Sequence, residues 1–236
     1  MLTRLSYLNT GSAKKLEGSI YVITFFVSET PWPMNKKMAL LKQVLRAESW
    51  LEKKAKKYGK DVKFVNGLHG FYEPFEAEIV PDYDSGNPQW GIAQKYLRAA
   101  GYPADASYPR WVKEISGCDQ SLIIVIANKY GRGYANAAYW ETDDPEGAIL
   151  YHSNKFKIGA SNIIHEILHL FGAVDLYETK EQTAENSTWI EQMYPKEVMH
   201  NPYYPLKELV ICPLTAWLVG LSDKKESWYE NFISLR

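Results

Sequence analysis

The sequence predicts an α/β fold with a sheet-and-helix lobe followed by a smaller C-terminal lobe. Strand-like and helix-like segments alternate up to Gly172, and this order is typical of helices packed on a sheet. Beyond Gly172, the prolines Pro195, Pro202 and Pro205 and the weak periodicity of residues 175–207 indicate mostly irregular chain. With 236 residues, of which 46% are apolar, the chain can bury a substantial core.

The first part of the chain contains the most regular segments. Residues 19–27 are rich in β-branched and aromatic side chains, which is typical of a strand. Residues 35–58 carry apolar side chains at helical spacing with lysines between them, and the pattern ends at Gly59. This pattern predicts a long amphipathic helix. A short strand over residues 61–65 and a second helix over residues 88–100 follow.

Three more strands and two more helices are predicted in the remainder. Residues 121–127 form a continuous apolar run, which favours a central strand covered on both faces. Residues 134–140 show a weaker strand pattern with small side chains, which suits the edge of a sheet, and residues 147–152 predict another strand. Residues 157–171 predict a helix, and a final helix is expected over about 213–221.

Composition excludes several classes of protein. The chain has 27 Lys plus Arg and 28 Asp plus Glu, a formal net charge of -1, so we expect neither nucleic acid nor membrane as a partner. Cys118 and Cys212 are too few for a disulfide framework and are expected as buried thiols. Residues 1–18 lack the apolar region of an export signal, so a cytoplasmic protein is expected.

One short motif carries the chemistry. Residues 165–169 read H-E-I-L-H, an H-E-x-x-H pattern within the predicted helix. Because residues four apart share a helix face, His165 and His169 can aim their imidazoles at one Zn²⁺ ion. Glu166 projects beside that ion, where it can act as the base for a water molecule.

The residues after the motif supply a third ligand. Gly172 lies three residues after His169 and can adopt the left-handed conformation that ends a helix. The chain can then turn back so that Asp175 reaches the same ion. Two alternatives remain open for the third ligand, Glu185 and Glu191, both in the segment after the motif.

The extended motif resembles that of the metzincin zinc metallopeptidases, H-E-x-x-H-x-x-G-x-x-H followed by a Met-turn. Asp175 stands where most metzincins have histidine, which is similar to the snapalysin-type branch. Residues 197–202, E-V-M-H-N-P, resemble the Met-turn, with Met199 as its methionine. The predicted element order also resembles the N-terminal lobe of that family.

The resemblance implies a fold, a reaction and a cofactor. It implies a zincin-like twisted mixed sheet with an antiparallel edge strand, a long backing helix, and a C-terminal lobe ending in a helix. Residues 1–172 and 173–236 would together form one catalytic domain. It also implies one catalytic Zn²⁺ ion and hydrolysis of peptide or protein substrates by a metal-activated water, with Glu166 as general base. Tyr203 and Tyr204 follow the Met-turn and are candidates to contact the transition state or the substrate.

Two other functions compete with a zinc endopeptidase. One is a zinc hydrolase that acts on a non-peptide amide, and the other is a catalytically silent binding module that keeps the fold. The intact Glu166 favours an active enzyme. His69 and His152 lack partner spacing and are expected to be non-catalytic, and His200 is expected at the surface or behind the ligands.

Overall fold

The computed structural model describes residues 10–29, 31–75, 77–79, 91–137 and 144–233. Within these residues the chain forms one five-stranded sheet, seven α-helices and a short 3₁₀ segment, Ser227–Tyr229. The strands are β1 (Gly18–Val27), β2 (Val62–His69), β3 (Gln120–Ala127), β4 (Tyr134–Asn136) and β5 (Gly147–Tyr151). The helices are α1 (Met34–Lys57), α2 (Ile92–Ala99), α3 (Tyr108–Ser116), α4 (Ala160–Leu170), α5 (Ala184–Met193), α6 (Pro213–Leu218) and α7 (Glu230–Ile233).

The sheet is mixed, with the strand order β2-β1-β3-β5-β4. β1 pairs in parallel with β2 and β3, and β3 pairs in parallel with β5. β4 runs antiparallel to β5, with Ala135 opposite Ala148. The predicted mixed sheet with an antiparallel edge strand is therefore confirmed, and so is the central position of β3.

Alternation along the strands divides the core into two layers. On β1, Val22 and Phe26 face one layer, in which α1 and α4 pack against the sheet. Ile23 and Phe25 face the other layer, together with Tyr96 of α2 and buried side chains of α3. Because both faces are covered, β3 is apolar along almost its whole length.

The C-terminal segment is held against α1 by three side-chain donors, two on that helix and one at its C-cap. Trp50 Nε1 donates to the Leu206 carbonyl at 3.0 Å. Lys54 Nζ donates to the carbonyl of Leu209 at 2.6 Å, and the Tyr58 hydroxyl donates to the carbonyl of Ile211 at 3.3 Å. Residues 206–211, which lead into α6, are thereby fixed to the helix that backs the sheet.

Several boundaries differ from the sequence prediction. β2 continues to His69 rather than ending at residue 65, because its pairing with β1 extends that far. α4 begins at Ala160 rather than at residue 157. Residues 138–140 of the predicted edge strand and residues 88–90 of the predicted second helix lie outside the described residues.

Three helices were not predicted: α3, α5 and the short α7. α5 lies in the segment predicted to be irregular, and its one buried residue is Ile190, so it has almost no apolar face. It begins at an N-cap instead, where Thr183 Oγ1 accepts from the Asn186 backbone N–H at 3.2 Å. That cap was the signal available in the sequence.

The cysteines and the apolar helices of the described residues have two further properties. Cys118 and Cys212 are both buried free thiols, as expected. None of the helices in the described part of the chain is both long and apolar enough to cross a bilayer.

Glu48 on α1 makes stability depend on pH. The side chain is 4% exposed, and burial raises its pKa to about 7 although Asn66 donates to it at 2.8 Å. The fold thus favours the protonated form, so the contribution of Glu48 to stability is greatest in acid and is lost as pH rises from about 4 to about 8. In the wild-type protein this effect lowers the free energy of unfolding by at most about 3 kcal/mol between those pH values, and Glu48→Gln should not show this decrease. Urea unfolding of both proteins at the two pH values tests this, and equal pH slopes would contradict it.

Candidate functional site

α4 positions the residues of the H-E-x-x-H motif. Its inner face, which includes Ile164 and Leu168, is fully buried against the sheet and α1. His165 and His169 lie one turn apart on the adjoining face, with their ring centroids 4.7 Å apart and their planes nearly perpendicular. Packing of the helix thus fixes the direction in which both imidazoles point.

Gly172 turns the chain back after α4. Its φ of 93° lies in the left-handed region, which glycine adopts without steric cost. The Ala173 N–H then donates to the Leu168 carbonyl at 3.0 Å and closes the turn. As a result, Asp175 lies beside the two histidines.

Three side-chain atoms converge at this point. His165 Nε2 and His169 Nε2 are 3.2 Å apart, and Asp175 Oδ1 lies 3.1 Å from the first and 3.2 Å from the second. Of the His, Cys, Asp and Glu side chains in the described residues, these three form the one group that could hold a metal ion. Glu185 and Glu191, the alternative third ligands, are exposed on α5 and do not belong to this group.

Hydrogen bonds on the far side of each ring determine which ring nitrogen carries the proton. His165 Nδ1 lies 3.0 Å from the Val198 carbonyl oxygen, and His169 Nδ1 lies 2.9 Å from the Ala173 carbonyl oxygen. A carbonyl can only accept, so both Nδ1 atoms donate. In the neutral imidazoles both Nε2 atoms therefore present lone pairs to the point that Asp175 Oδ1 also faces.

This arrangement fits a cation with tetrahedral coordination. Zinc bonds of about 2.0–2.1 Å place neighbouring ligand atoms about 3.3 Å apart, close to the 3.1–3.2 Å found here. Asp175 Oδ1 is buried, and no donor within the described residues makes a hydrogen bond to it. Burial opposes ionisation of Asp175, but imidazoles that carry a proton on Nε2 outweigh it and hold the pKa of Asp175 well below its ordinary value, and an ion in their place would favour the carboxylate in the same way. The donor set is thus nitrogen, nitrogen and carboxylate, which suits Zn²⁺.

Glu166 lies on the same helix and lines the cavity beside the three ligand atoms. Burial raises the pKa of its carboxyl group, while His165 and His169 act in the opposite direction. Gly133 leaves room for it: a Cβ at Gly133 would lie 3.4 Å from Glu166 Oε1 and 3.1 Å from the Ile149 carbonyl oxygen. The carboxylate is therefore held close to the backbone that precedes β4.

Tyr177 is a site residue that the sequence reasoning missed. Its ring stacks on His165 with the centroids 6.3 Å apart and an interplanar angle of 23°. Arg132 Nη2 donates to the Tyr177 hydroxyl at 3.3 Å. Burial, followed by the charge of Asp175, raises the pKa of Tyr177 to about 12, so the hydroxyl stays protonated at neutral pH. Its position two residues after Asp175 was the available signal.

Met199 of the predicted Met-turn and the two tyrosines that follow it occupy different environments. Met199 is fully buried, and its carbonyl accepts from the Leu176 N–H at 3.0 Å, next to Asp175. Tyr203 is 75% exposed and lines the cavity, whereas Tyr204 packs against the core. The roles of both tyrosines stay predictions. His200 also lines the cavity, and its Nε2 lies 3.1 Å from Ser187 Oγ, away from the three converging atoms.

The other two histidines named in the sequence lie apart from this group. His69 packs edge-on against the rings of Phe25 and Phe75 at the end of β2. His152 follows β5, and its ring lies 6.2 Å from that of Trp32. Neither is among the atoms that converge on a possible metal ion.

The three ligand residues and Glu166 line a single cavity of about 1210 Å³. The edge strand β4 contributes its whole length to the wall, and residues 177–182 and 200–203 contribute as well. A cavity of this size can accommodate several residues of an extended chain. The converging atoms are therefore accessible to a large ligand.

No model of a known protein family matches the chain, and no curated protein matches its sequence. Among solved structures, it is similar to the crystal structure of a zinc-dependent peptidase from Methanocorpusculum labreanum (strain Z). The two are 14% identical, the alignment covers 84% of this chain and 99% of the other, and the TM-score is 0.39. The assignment of a function therefore rests on the side chains of the site itself.

Proposed function

We propose that this chain is a zinc-dependent metallopeptidase of the metzincin type, in which His165, His169 and Asp175 hold the ion. The observation that carries the proposal is the convergence of two imidazole Nε2 atoms and one buried carboxylate oxygen beside Glu166. Three protein ligands are the number found at catalytic rather than structural zinc sites. The placement of these residues in a large cavity also favours catalysis.

The bound ion would supply Lewis acidity, which acidifies water and stabilises negative charge on a substrate carbonyl oxygen. Glu166 accepts the proton of the attacking water on its carboxylate and passes it to the leaving amine. Tyr177, which stays protonated, would turn its hydroxyl from Asp175 towards the same carbonyl oxygen and donate to it.

An extended peptide is the substrate that the cavity suits. β4 is the edge strand of the described sheet and forms part of the cavity wall. A peptide can add to such an edge through main-chain hydrogen bonds, which recognise the backbone rather than particular side chains. A substrate bound this way would cross the face of α4 that carries His165. Cleavage within a chain, as by an endopeptidase, follows from this mode of binding.

The finer features of the family belong to the same proposal. Met199 takes the part of the Met-turn methionine, because it is buried and its carbonyl holds the residue after Asp175. Residues 1–172 supply the sheet, α4 and Glu166, and residues 173–236 supply Asp175 and the Met-turn. The two segments act as one catalytic domain because the ligands come from both.

Metal analysis combined with a peptide-library assay tests the proposal. We expect about one zinc ion per chain, hydrolysis of extended peptides, loss of activity with a chelator and recovery with Zn²⁺. Zinc without hydrolysis of any peptide would indicate a silent binding module, and hydrolysis of other amides alone would indicate a different hydrolase. A chain that binds no zinc would overturn the proposal.

Tyr177→Phe removes the hydroxyl and keeps the ring that stacks on His165. We expect kcat to fall about 10–100-fold with little change in KM, because the lost donor acts in the transition state. Tyr203→Phe is the comparison variant, because Tyr203 also lines the cavity and is the other candidate for this contact. If Tyr203→Phe lowers kcat and Tyr177→Phe does not, the contact that we assign to Tyr177 belongs to Tyr203.

A further inference from the structure

Glu197 is a buried carboxylate that the proposed reaction does not use. The residue is 0% exposed, whereas most of the other carboxylates that the structure describes are at or near the surface. Burying a carboxylate is unfavourable unless several donors compensate for the lost water. Its environment therefore requires an explanation.

Three donors surround the Glu197 carboxylate. Thr215 Oγ1 donates to Oε1 at 2.8 Å, and the Met199 N–H donates to the same oxygen at 3.4 Å. The Cys212 N–H donates to Oε2. Cys212 and Thr215 belong to the start of α6, the N-cap and the third residue of the helix. The carboxylate thus joins the start of α6 to residues 197–201, which we call the ligand-facing turn.

The main chain of Glu197 holds the ligand-facing turn as well. Its carbonyl accepts from the N–H groups of His200 at 3.1 Å and Asn201 at 2.9 Å, and its own N–H donates to the Tyr194 carbonyl at 2.9 Å. Val198 N–H donates to the Val210 carbonyl at 3.1 Å. The turn is therefore fixed at both ends, and Glu197 takes part through its side chain and its backbone.

The two residues that follow Glu197 contact the neighbourhood of the ligands. The Val198 carbonyl accepts from His165 Nδ1 at 3.0 Å, and the Met199 carbonyl accepts from the Leu176 N–H at 3.0 Å. The first contact determines which nitrogen of His165 faces the ion. The second places the residue next to Asp175. One turn thus orients two of the three converging side chains.

We propose that Glu197 is a positioning residue that holds the ligand-facing turn so that His165 and Asp175 meet the ion in the correct geometry. This inference rests on the proposed function, because it assumes that these residues bind zinc. The hydrogen bonds of the Glu197 side chain described above go to Met199, Cys212 and Thr215 and not to the converging atoms. Glu197 therefore acts through Val198 and Met199. Groups that hydrogen-bond directly to the ligands of a zinc site affect metal affinity by about 10–100-fold, and loss of the Glu197 carboxylate would act through such a contact, that of Val198 with His165.

The chemistry of the carboxylate explains why a substitute would fail. The oxygens of Glu197 accept from donors on two sides, the backbone of Cys212 and the pair formed by Thr215 and Met199. A glutamine keeps one acceptor oxygen and turns an NH₂ group towards donors on the other side. One of these donors would then lose its partner, and the turn would shift.

Zinc affinity of the purified full chain tests the inference. Competition with a chromophoric chelator should show binding about 10–100-fold weaker for Glu197→Gln. Thr215→Val removes one donor and keeps the volume of the side chain, so it should weaken binding less, by about 2–10-fold. Glu208→Gln is the matched control, because Glu208 lies in the same segment but pairs with Lys196 at 2.8 Å, and its affinity should stay within about 2-fold.

A second measurement separates positioning from stability. The visible spectrum of the Co²⁺-substituted protein reports coordination geometry, and it should change in Glu197→Gln and Thr215→Val but not in Glu208→Gln. The inference fails if folded Glu197→Gln keeps the wild-type zinc affinity and Co²⁺ spectrum. If Glu197→Gln does not fold, the inference fails when Thr215→Val keeps the wild-type affinity and spectrum. If the wild-type protein binds no zinc, the proposed function and this inference both fail. If wild type and variants bind zinc equally well, this inference alone fails.

Discussion

Glu166→Gln is expected to abolish peptide hydrolysis while zinc still binds. The amide keeps the shape of the side chain beside Gly133 but cannot accept the proton of the attacking water. General-base catalysis contributes about 10²–10⁴-fold to the rate, so kcat should fall by at least about 10²-fold. Initial rates on a peptide substrate, measured with zinc content on the same preparation, test the prediction.

Glu178→Gln is the matched control for this substitution. Glu178 is an exposed residue that lines the same cavity. Its substitution therefore removes one negative charge near the site and leaves the proposed base unchanged. Its kcat should stay within about 3-fold of wild type. Full activity in Glu166→Gln would show that another group takes the proton.

Asp175→Asn is expected to weaken zinc binding more than any change outside the three ligands. The substitution keeps the size of the side chain and removes the negative charge that lies 3.1–3.2 Å from both imidazole nitrogens. We expect a loss of more than about 100-fold in affinity, larger than for residues behind the ligands. At a zinc concentration about 1,000 times the wild-type Kd, a 100-fold loss reduces the stabilisation by zinc by about 2.7 kcal/mol. Thermal unfolding with and without Zn²⁺ measures that difference.

Glu185→Gln and Glu191→Gln are the controls, because the sequence left both residues open as third ligands. Both are exposed on α5 and should bind zinc as wild type does. A large loss of affinity in either control, with Asp175→Asn unaffected, would transfer the third ligand to α5. The three variants together therefore identify the ligand by comparison.

Local patterns in the sequence predicted much of the fold. The apolar run of β3 indicated a central strand, and the periodicity of α1 indicated a long helix ending near Gly59. These predictions succeeded because burial of both faces of a strand, or of one face of a helix, determines the spacing of apolar residues in the sequence. α5 left no such record, because Ile190 is its one buried residue.

The candidate site divides in the same way. The positions of His165, Glu166 and His169 follow from the helical period, and Gly172 marks the turn that brings Asp175 back. Tyr177 carried a weak local signal, but its contact with Arg132 joins residues 45 apart in the chain. No periodicity relates two such residues, so their contact is a property of the folded chain.

By itself, the sequence determined an α/β protein with two imidazoles on one helix face and a nearby carboxylate. The tertiary structure decided which ring nitrogens face that point, because the Val198 carbonyl reaches His165 from a turn 33 residues away. It also decided that the turn is held by Glu197 and the start of α6. Short-range spacing follows from backbone geometry, whereas the direction of a hydrogen bond between distant segments depends on how the whole core packs.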